Sequence, residues 1–220
     1  EGVEHFFGIV DGTYTQLFAH LVELGIRMVS PRHESIAMHM AGAYARLSGK
    51  LGVAIASNGP GVANVLPGVA VENGEGNRVL LLTSSRRTGI TYPDRGGAYQ
   101  CFDHCAVIRP MAKWSESAQS YDRIPELLRT ALRMCWTGRP GVVHLDIPEN
   151  LINGTGPALA QPPPHASRRA DPPQPLIDHR EHAPGNGQWT RGLRLRRQID
   201  DRYRWPVRLS PHPRSTRVTG

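Results

Sequence analysis

Short apolar runs alternate with longer segments of helical periodicity over the first 150 residues of the chain. The runs contain almost no polar positions, which is typical of strands buried on both faces of a parallel sheet. They predict strands at residues 5–9, 26–29, 53–56, 79–83 and 142–147. Each run has the length of a strand and is followed by Gly, Pro or polar residues that end it.

Segments with apolar residues at every third or fourth position separate these runs and predict helices. The helices are expected at residues 14–24, 35–47, 62–71 and 123–136, with Pro67 interrupting the third. A proline inside a helix costs about 3 kcal/mol unless the helix breaks there. The alternation predicts an α/β fold, a doubly wound and mostly parallel sheet with helices on both faces. Functional loops would then follow the carboxyl ends of the strands.

The pattern disappears after Gly154, where the composition also changes. Residues 1–154 contain 14 Lys and Arg and 14 Asp and Glu, whereas residues 155–220 contain 12 Arg, no Lys and five Asp and Glu. The net charge of +7 therefore lies entirely in the last 66 residues, which also hold 11 of the 19 prolines. We predict a neutral folded domain over 1–154 and an irregular or disordered Pro/Arg-rich tail over 155–220.

Charge and hydropathy also limit the class of protein. A charge of +7 suggests nucleic acid as a partner, but the neutrality of the predicted domain argues against a nucleic-acid-binding module. No stretch approaches the ~20 consecutive apolar residues of a membrane span, and no leader peptide is visible at the start of the chain. Three cysteines, an odd number, favour free thiols over a disulfide framework. We therefore expect a cytoplasmic protein without a nucleic-acid or membrane partner.

Two positions at strand ends are candidates for binding or catalysis. Glu34 follows a predicted strand and opens an apolar helix; the simplest interpretation of position alone is a carboxylate that interacts with the helix dipole. The turn 57–61 (Ser-Asn-Gly-Pro-Gly), with Asn64 after it, lets a backbone approach a ligand closely. It lacks the third glycine of a dinucleotide fingerprint and the Gly-Lys-Ser/Thr of a P-loop. On its own, a structural turn is at least as good an interpretation.

Metal-ligand residue types occur together at Cys101, Asp103, His104 and Cys105. No second cysteine pair stands at zinc spacing, and Cys135 lies on a predicted helix face. Buried thiols and a hydrogen-bonded histidine explain the cluster more simply, so we predict no metal site.

Taken in order, several segments resemble one family. They are Gly2–Gly8, Arg32-His33-Glu34, the helix 41–49, the turn and helix start 57–64, the segments 97–100 and 109–114, and the closing stretch 138–148. In combination they resemble the pyrimidine-binding domain of thiamine-diphosphate enzymes of the acetolactate synthase type, over residues 1–150. The segment before Glu1 that would supply the family's first helix is absent from this sequence.

The resemblance changes the interpretation of Glu34. In this family a glutamate hydrogen-bonds ring nitrogen N1′ of the cofactor's aminopyrimidine, which favours the tautomer whose 4′-nitrogen takes a proton from the thiazolium. Glu34 matches that residue. The resemblance also implies that Pro60 and Asn64 lie at the pyrimidine and the neighbouring subunit interface, that Gln100 faces the substrate side, and that Gly12 lines the entrance. His33 would position the loop.

The match has departures. The family's usual Pro-Gly-Gly turn after the first strand is Val10-Asp11-Gly12 here, so an acidic Asp11 would alter how a 2-oxo acid is accepted. Cys101 replaces a glutamate that synthases often carry. The Gly-Asp-Gly motif that holds Mg²⁺ and the diphosphate does not occur in 155–220. We expect this chain to bind only the pyrimidine half of thiamine diphosphate, with Mg²⁺ held through a missing domain or a partner. FAD, structural in some synthases, would lie largely in a central domain and has no support here.

The resemblance implies a 2-oxo acid decarboxylase or carboligase that acts on a small-molecule substrate as a homodimer or with a partner subunit. Two alternatives stay open. In the first, the chain is a catalytically inactive fragment of a disrupted gene, since the abrupt switch to Arg and Pro is what an out-of-frame reading produces. In the second, the chain is a split subunit whose partner carries the diphosphate domain.

Overall fold

The computed structural model describes residues 2–89 and 99–157. Six strands form one sheet in the order β2-β1-β3-β4-β6-β5, and every neighbouring pair is parallel. The strands are β1 (His5–Gly8), β2 (Arg27–Val29), β3 (Gly52–Ala56), β4 (Val79–Thr83), β5 (Trp114–Ser117) and β6 (Val142–Asp146). The predicted α/β fold with a parallel sheet is confirmed.

Helices connect successive strands of this sheet. They are α1 (Thr15–Glu23), α2 (Glu34–Ser48), α3 (Pro60–Gly74), α4 (His104–Ile108), α5 (Ile124–Trp136) and α6 (Glu149–Ile152). Three short 3₁₀ segments, Gly12–Tyr14, Arg109–Met111 and Tyr121–Arg123, adjoin them. The predicted boundaries of the four long helices and of the five apolar strands agree with the structure to within a few residues.

Apolar side chains of the strands point alternately to the two faces of the sheet, which is why the strand sequences lack polar alternation. On one face, Ala54 and Leu81 pack with α2, α3 and α4 around Met38. On the other face, Ile55 and Leu80 pack with α1 and α5. Burial of both faces requires helices on both sides, so the sheet is doubly wound as predicted.

Four elements differ from the expectations. The edge strand β5 (Trp-Ser-Glu-Ser) is mostly polar, so no apolar run signals it. The helices α4 and α6 have only five and four residues, too few to show a helical period. The helix α3 passes through Pro67 without a break, so the predicted interruption is wrong. Pro67 and Ala63 are both exposed, so the Ala63 carbonyl that loses its helical donor is on the solvent side.

Some expectations concern residues outside the described ranges. These are residues 158–220 of the predicted tail and residues 97 and 98 of the segment 97–100, so the boundary at residue 154 stays a prediction. All described residues belong to one compact unit of the chain.

The strand order reverses beside β1. The chain places β2 on one side of β1 and then β3 on the other, and continues outward through β4. In open α/β sheets, ligands bind at the carboxyl edge where the order reverses in this way. The loop from β2 to Glu34 and the turn 57–61 after β3 both lie at this edge, so the fold places the two sequence candidates in the same region.

Candidate functional site

Glu34 is the first residue of α2 and is fixed by the residue before it. His33 is extended and acts as the N-cap, because its Nδ1 atom accepts a hydrogen bond from the Ser35 amide at 3.2 Å. This histidine therefore positions the loop, as expected from the sequence. The Glu34 side chain is 9% exposed, so the carboxylate is held at the end of a rigid helix in a largely dehydrated place.

Asn64 joins Glu34 from the neighbouring helix. Its Nδ2 atom donates a hydrogen bond to Glu34 Oε2 at 3.1 Å. The Ser35 hydroxyl donates to the Asn64 carbonyl oxygen, so the first turns of α2 and α3 are tied together. Among the described residues, none donates a hydrogen bond to the other carboxylate oxygen, Glu34 Oε1.

The turn 57–61 depends on two glycines. Gly59 has φ 61° and ψ −111°, and a Cβ there would lie 2.7 Å from Cα of Gln100. Gly61 has no unusual φ, but its Cβ would lie 2.4 Å from Ser57 Oγ and 3.4 Å from Glu34 Oε1. Gly59 therefore needs glycine for both its conformation and the close approach of backbone, whereas a side chain at Gly61 would displace the Ser57 hydroxyl beside the carboxylate. Pro60 is the first residue of α3, where its missing amide hydrogen costs nothing.

Gln100 lies over this turn. Its Nε2 atom donates a hydrogen bond to Asn58 Oδ1 at 2.6 Å, and its Cα is the atom that approaches Gly59. Asn58 is 2% exposed, and its Nδ2 atom has no hydrogen-bond partner among the described residues. Asn58 is thus a candidate site residue that the sequence pattern shows only as part of a turn. An asparagine directly before the Gly-Pro-Gly of a strand-end turn is the available signal.

Gly12 lies at the carboxyl end of β1, on the same edge of the sheet. It is exposed, and a Cβ there would meet no atom within 4 Å. Asp11, the departure from the family's turn, accepts a hydrogen bond from the Thr13 amide at 2.8 Å and caps the 3₁₀ segment. The Tyr14 hydroxyl donates to the Ala56 carbonyl at 2.9 Å, which fastens this segment to the end of β3. The structure therefore brings Asn64 to Glu34 and Gln100 to the turn that contains Pro60, while Gly12 is exposed at the end of β1.

Behind the turn lies a buried polar network that the sequence did not reveal. The Gly59 amide donates to His104 Nε2 at 3.3 Å, and His104 Nδ1 lies 3.1 Å from Asp146 Oδ1. The Thr83 hydroxyl also donates to Asp146 Oδ1, at 2.6 Å. His104, Thr83 and Asp146 are each at most 2% exposed. Polar residues that end otherwise apolar strands, Thr83 on β4 and Asp146 on β6, were the signal for this network.

A second histidine extends the network towards the sheet edge. Because the one Thr83 hydroxyl proton goes to Asp146, Thr83 Oγ1 accepts from His144 Nε2 at 2.7 Å. His144 Nδ1 then accepts from the Ser115 hydroxyl, also at 2.7 Å. Burial lowers the pKa of His144 to about 4, so this imidazole is neutral near pH 7. Burial acts to raise the pKa of Asp146, but the hydrogen bonds from His104 and Thr83 outweigh it and the pKa lies below its ordinary value.

The predicted cysteine and histidine cluster has other roles. Asp103 caps α4 by accepting from the Ala106 amide at 2.8 Å, and His104 belongs to the network above. Burial raises the pKa of the Cys105 and Cys135 thiols to about 12 each, so neither is an activated nucleophile. Within 2–89 and 99–157, no three His, Cys, Asp or Glu side chains are grouped so that they could hold a metal ion.

A cleft of about 490 Å³ opens over the carboxyl ends of β4, β5 and β6. Its lining includes His104 and Asp146, together with Cys105 and Arg109. The network thus separates this cleft from the turn 57–61. Next to the cleft, Glu149 accepts from Arg86 and from Arg87, at 3.0 Å each, which ties the loop after β4 to α6.

The part of the chain that contains these residues matches a known family. Residues 1–107 match the family model described as "Thiamine pyrophosphate enzyme, N-terminal TPP binding domain". This part of the chain belongs to that family. The match contains Glu34, the turn 57–61, Asn64 and Gln100, so the residues that the structure brings together all lie inside the family domain. Thiamine pyrophosphate is the same compound as thiamine diphosphate.

Alignments with curated relatives extend the match beyond residue 107. The chain is 30% identical to a catabolic acetolactate synthase of Raoultella terrigena over 179 residues, which are 81% of this chain and 31% of that protein. It is 35% identical to a probable acetolactate synthase large subunit of Methanococcus aeolicus over 151 residues, 69% of this chain and 25% of the relative. It is 34% identical to the 2-hydroxyacyl-CoA lyase 2 of Mus musculus over 151 residues, 69% of this chain and 23% of the relative. The chain thus spans about a quarter to a third of the relatives that it matches.

Within residues 2–89 and 99–157, no helix has the length and apolar composition of a membrane span.

Proposed function

We propose that this chain is the pyrimidine-binding domain of a thiamine-diphosphate-dependent 2-oxo acid decarboxylase or carboligase, similar to acetolactate synthase, in which Glu34 holds the aminopyrimidine ring. The observation that carries the proposal is the state of the Glu34 carboxylate. It is 9% exposed and sits at the ligand-binding edge of the sheet, and its Oε1 atom has no donor among the described residues. A largely buried carboxylate with an oxygen that accepts no hydrogen bond from the described residues supports binding of a ligand that donates one.

The residues around Glu34 fit a flat ring that carries nitrogen donors and acceptors. Gly59 and Gly61 present backbone only, and the space that a Cβ of Gly61 would take lies 3.4 Å from Glu34 Oε1. This combination of a largely buried acceptor and bare backbone supports a nitrogen heterocycle that donates a hydrogen bond better than an anion, since Glu34 itself is a carboxylate.

Each residue of the site has a part in the proposal. Glu34 Oε1 shares a proton with ring nitrogen N1′ of the pyrimidine, and Asn64 fixes the orientation of that carboxylate through Oε2. Pro60 begins the helix that carries Asn64, and both face outward, which suits the subunit interface predicted for them. Gln100 faces the substrate side and Gly12 lines the entrance. The bound cofactor would supply an acidic carbon that adds to a 2-oxo acid.

The proposal extends to parts of the protein beyond this domain. Because the chain spans at most about a third of the relatives compared, we propose that another domain or a partner subunit holds the diphosphate and Mg²⁺. The folded domain in this proposal is residues 1–154. A homodimer or a partner subunit would complete the site. The three free cysteines support the proposed cytoplasmic location, since disulfides are rare there.

The test uses thiamine, which carries the aminopyrimidine without the diphosphate. A titration of the ¹⁵N-labelled full chain, followed by amide resonances, should give saturable shifts at Gly61 and Asn64. Glu34→Gln removes the charge and should weaken the affinity for thiamine by about tenfold or more, because a hydrogen bond to a charged group contributes about 1.5–3 kcal/mol.

The matched control is Glu75→Gln, the same change at an exposed glutamate of the same domain. It should leave the thiamine affinity unchanged. Saturable binding of thiamine that Glu34→Gln does not weaken would contradict the role of Glu34, and the absence of saturable binding to the unaltered chain would contradict the proposed site.

A further inference from the structure

His104 connects the candidate site to the centre of the sheet. Its Nε2 atom accepts a hydrogen bond from the Gly59 amide. An imidazole nitrogen that accepts carries no proton, so in the neutral ring the proton is on Nδ1. Nδ1 then donates to Asp146 Oδ1, 3.1 Å away. The two contacts together select one tautomer and one ring orientation for His104.

Asp146 is the fixed end of this connection. Besides the His104 ring, it accepts from Thr83 at 2.6 Å and from Ser117 at 3.2 Å. These partners stand at the carboxyl ends of β4 and β5, and Asp146 itself ends β6. The carboxylate is thus held by three neighbouring strands and cannot turn away from His104 without leaving buried donors unpaired.

The other end of the connection is the turn that carries the candidate site. The Gly59 carbonyl accepts from the Ala63 amide at 3.0 Å, so the position of Gly59 sets the first turn of α3. That turn holds Pro60 and Asn64, and Asn64 contacts Glu34. The residue beside Gly59, Asn58, holds Gln100. A shift of the Gly59 amide would therefore move both Asn64 and the Asn58–Gln100 pair.

His104 is not needed to begin its own helix. The N-cap of α4 is Asp103, whose carboxylate accepts from the Ala106 amide. The imidazole is instead turned towards the sheet and the turn 57–61, where it is 2% exposed. We infer that His104, oriented by Asp146, is a positioning residue that sets the Gly59 turn against the pyrimidine. This role rests on the proposed function.

Two amide substitutions separate this role from simple packing. In His104→Asn the side-chain amide takes the place of Nδ1, so it can still donate to Asp146 but does not reach Gly59. In His104→Gln the longer side chain brings a carbonyl oxygen to the place of Nε2, where it can accept from the Gly59 amide. The two variants have the same chemistry and differ in reach.

The first measurement needs no ligand. Amide hydrogen exchange in the ¹⁵N-labelled full chain should be about tenfold or more faster at Gly59 in His104→Asn than in the unaltered chain, and His104→Gln should restore most of the protection. The second measurement is the thiamine affinity, which should fall by about tenfold in His104→Asn and recover in His104→Gln. Equal behaviour of the two variants in exchange would overturn the inference, as would faster exchange with no change in affinity.

The unaltered chain provides a check that does not depend on the variants folding. Side-chain ¹⁵N resonances of His104 should show the proton on Nδ1 and none on Nε2, and a proton on Nε2 would overturn the inference. If the unaltered chain does not bind thiamine, the proposed function fails, whereas the exchange rates and the tautomer still report on the His104 connection. The two failures are therefore distinguishable.

Discussion

Two buried carboxylates at the same edge of the sheet differ in how fully the chain satisfies them. Asp146 accepts hydrogen bonds from Thr83, His104 and Ser117, which occupy both of its oxygens. Glu34 accepts one, from Asn64, on one oxygen. Their exposed fractions are similar, 2% for Asp146 and 9% for Glu34.

We propose that the less satisfied carboxylate is the one that binds a ligand. A carboxylate has about four acceptor positions, and hydrogen bonds to a buried charged acceptor stabilise the fold. The closed group, Asp146, therefore contributes to the free energy of unfolding and holds its neighbours in place. In the proposal, the open group, Glu34, contributes little to folding and keeps an oxygen for a donor from outside the chain.

The largest expected loss of stability follows substitution of the closed carboxylate, Asp146. Asp146→Asn weakens three hydrogen bonds to a charged acceptor and places an amide where only donors surround it, so it should lower the free energy of unfolding by about 2–4 kcal/mol. Urea denaturation at pH 7 measures this. Glu34→Gln should lower the free energy of unfolding by less than about 1 kcal/mol, and the same kind of change at the exposed Asp122, Asp122→Asn, should leave it almost unchanged. An equal loss in Asp146→Asn and Glu34→Gln would remove the distinction between the two carboxylates.

The next effect is the pH dependence of stability that arises from the buried His144. His144 has a folded pKa of about 4 against an ordinary value of 6.5, so the unfolded chain binds the proton more readily between these values. Stability from this group is full above pH 6.5 and is lost as the pH falls towards 4, by about 3 kcal/mol. The difference in unfolding free energy between the unaltered chain and His144→Met should therefore shrink from pH 7 to pH 4. A difference that stays constant over this range would mean that His144 is not buried as a neutral ring.

Asp146 shifts the stability further at lower pH. Its pKa is depressed below the ordinary 3.8 by its hydrogen bonds, so its contribution is present above pH 3.8 and is lost as the pH falls through the folded pKa. The loss of stability from Asp146 begins near the pH at which the loss from His144 is complete. Both losses lower the free energy of unfolding as the pH falls.

The smallest effect concerns the space beside the open carboxylate. Gly61→Ala places a Cβ 2.4 Å from Ser57 Oγ, which forces the serine hydroxyl to move and should cost about 1 kcal/mol. Gly74→Ala, in the same helix with nothing within 4 Å of the added Cβ, should raise the free energy of unfolding by about 0.5 kcal/mol. Thermal denaturation of both variants measures the two signs, and a gain in stability in Gly61→Ala would show that the site has room for a side chain there.

The sequence predicted the parts of this molecule that local pattern determines. Apolar runs such as 79–83 are buried on both faces, and this periodicity is visible without a structure. Glu34 and the turn 57–61 follow strand ends, and parallel topology brings such ends to one edge. The resemblance then singled out Glu34, which position alone left as a helix-terminal carboxylate.

What the sequence could not predict depends on contacts between distant segments. Gly59 and His104 are 45 residues apart, and their hydrogen bond follows only from the adjacency of β3, β4 and β6 in the sheet. The same histidine was predicted to be hydrogen-bonded, but its partners were unknown. The strand β5 was missed because an edge strand needs few apolar residues, and α3 continues through Pro67 because its outer side faces solvent.

The most direct test of the comparison observes the two carboxylates themselves. In a chain labelled with ¹³C at side-chain carboxyl groups, saturation with thiamine should move the Glu34 Cδ resonance more than that of any other carboxylate and leave the Asp146 Cγ resonance in place. An unchanged Glu34 resonance at saturation would contradict the assignment of Glu34 as the open, ligand-binding carboxylate.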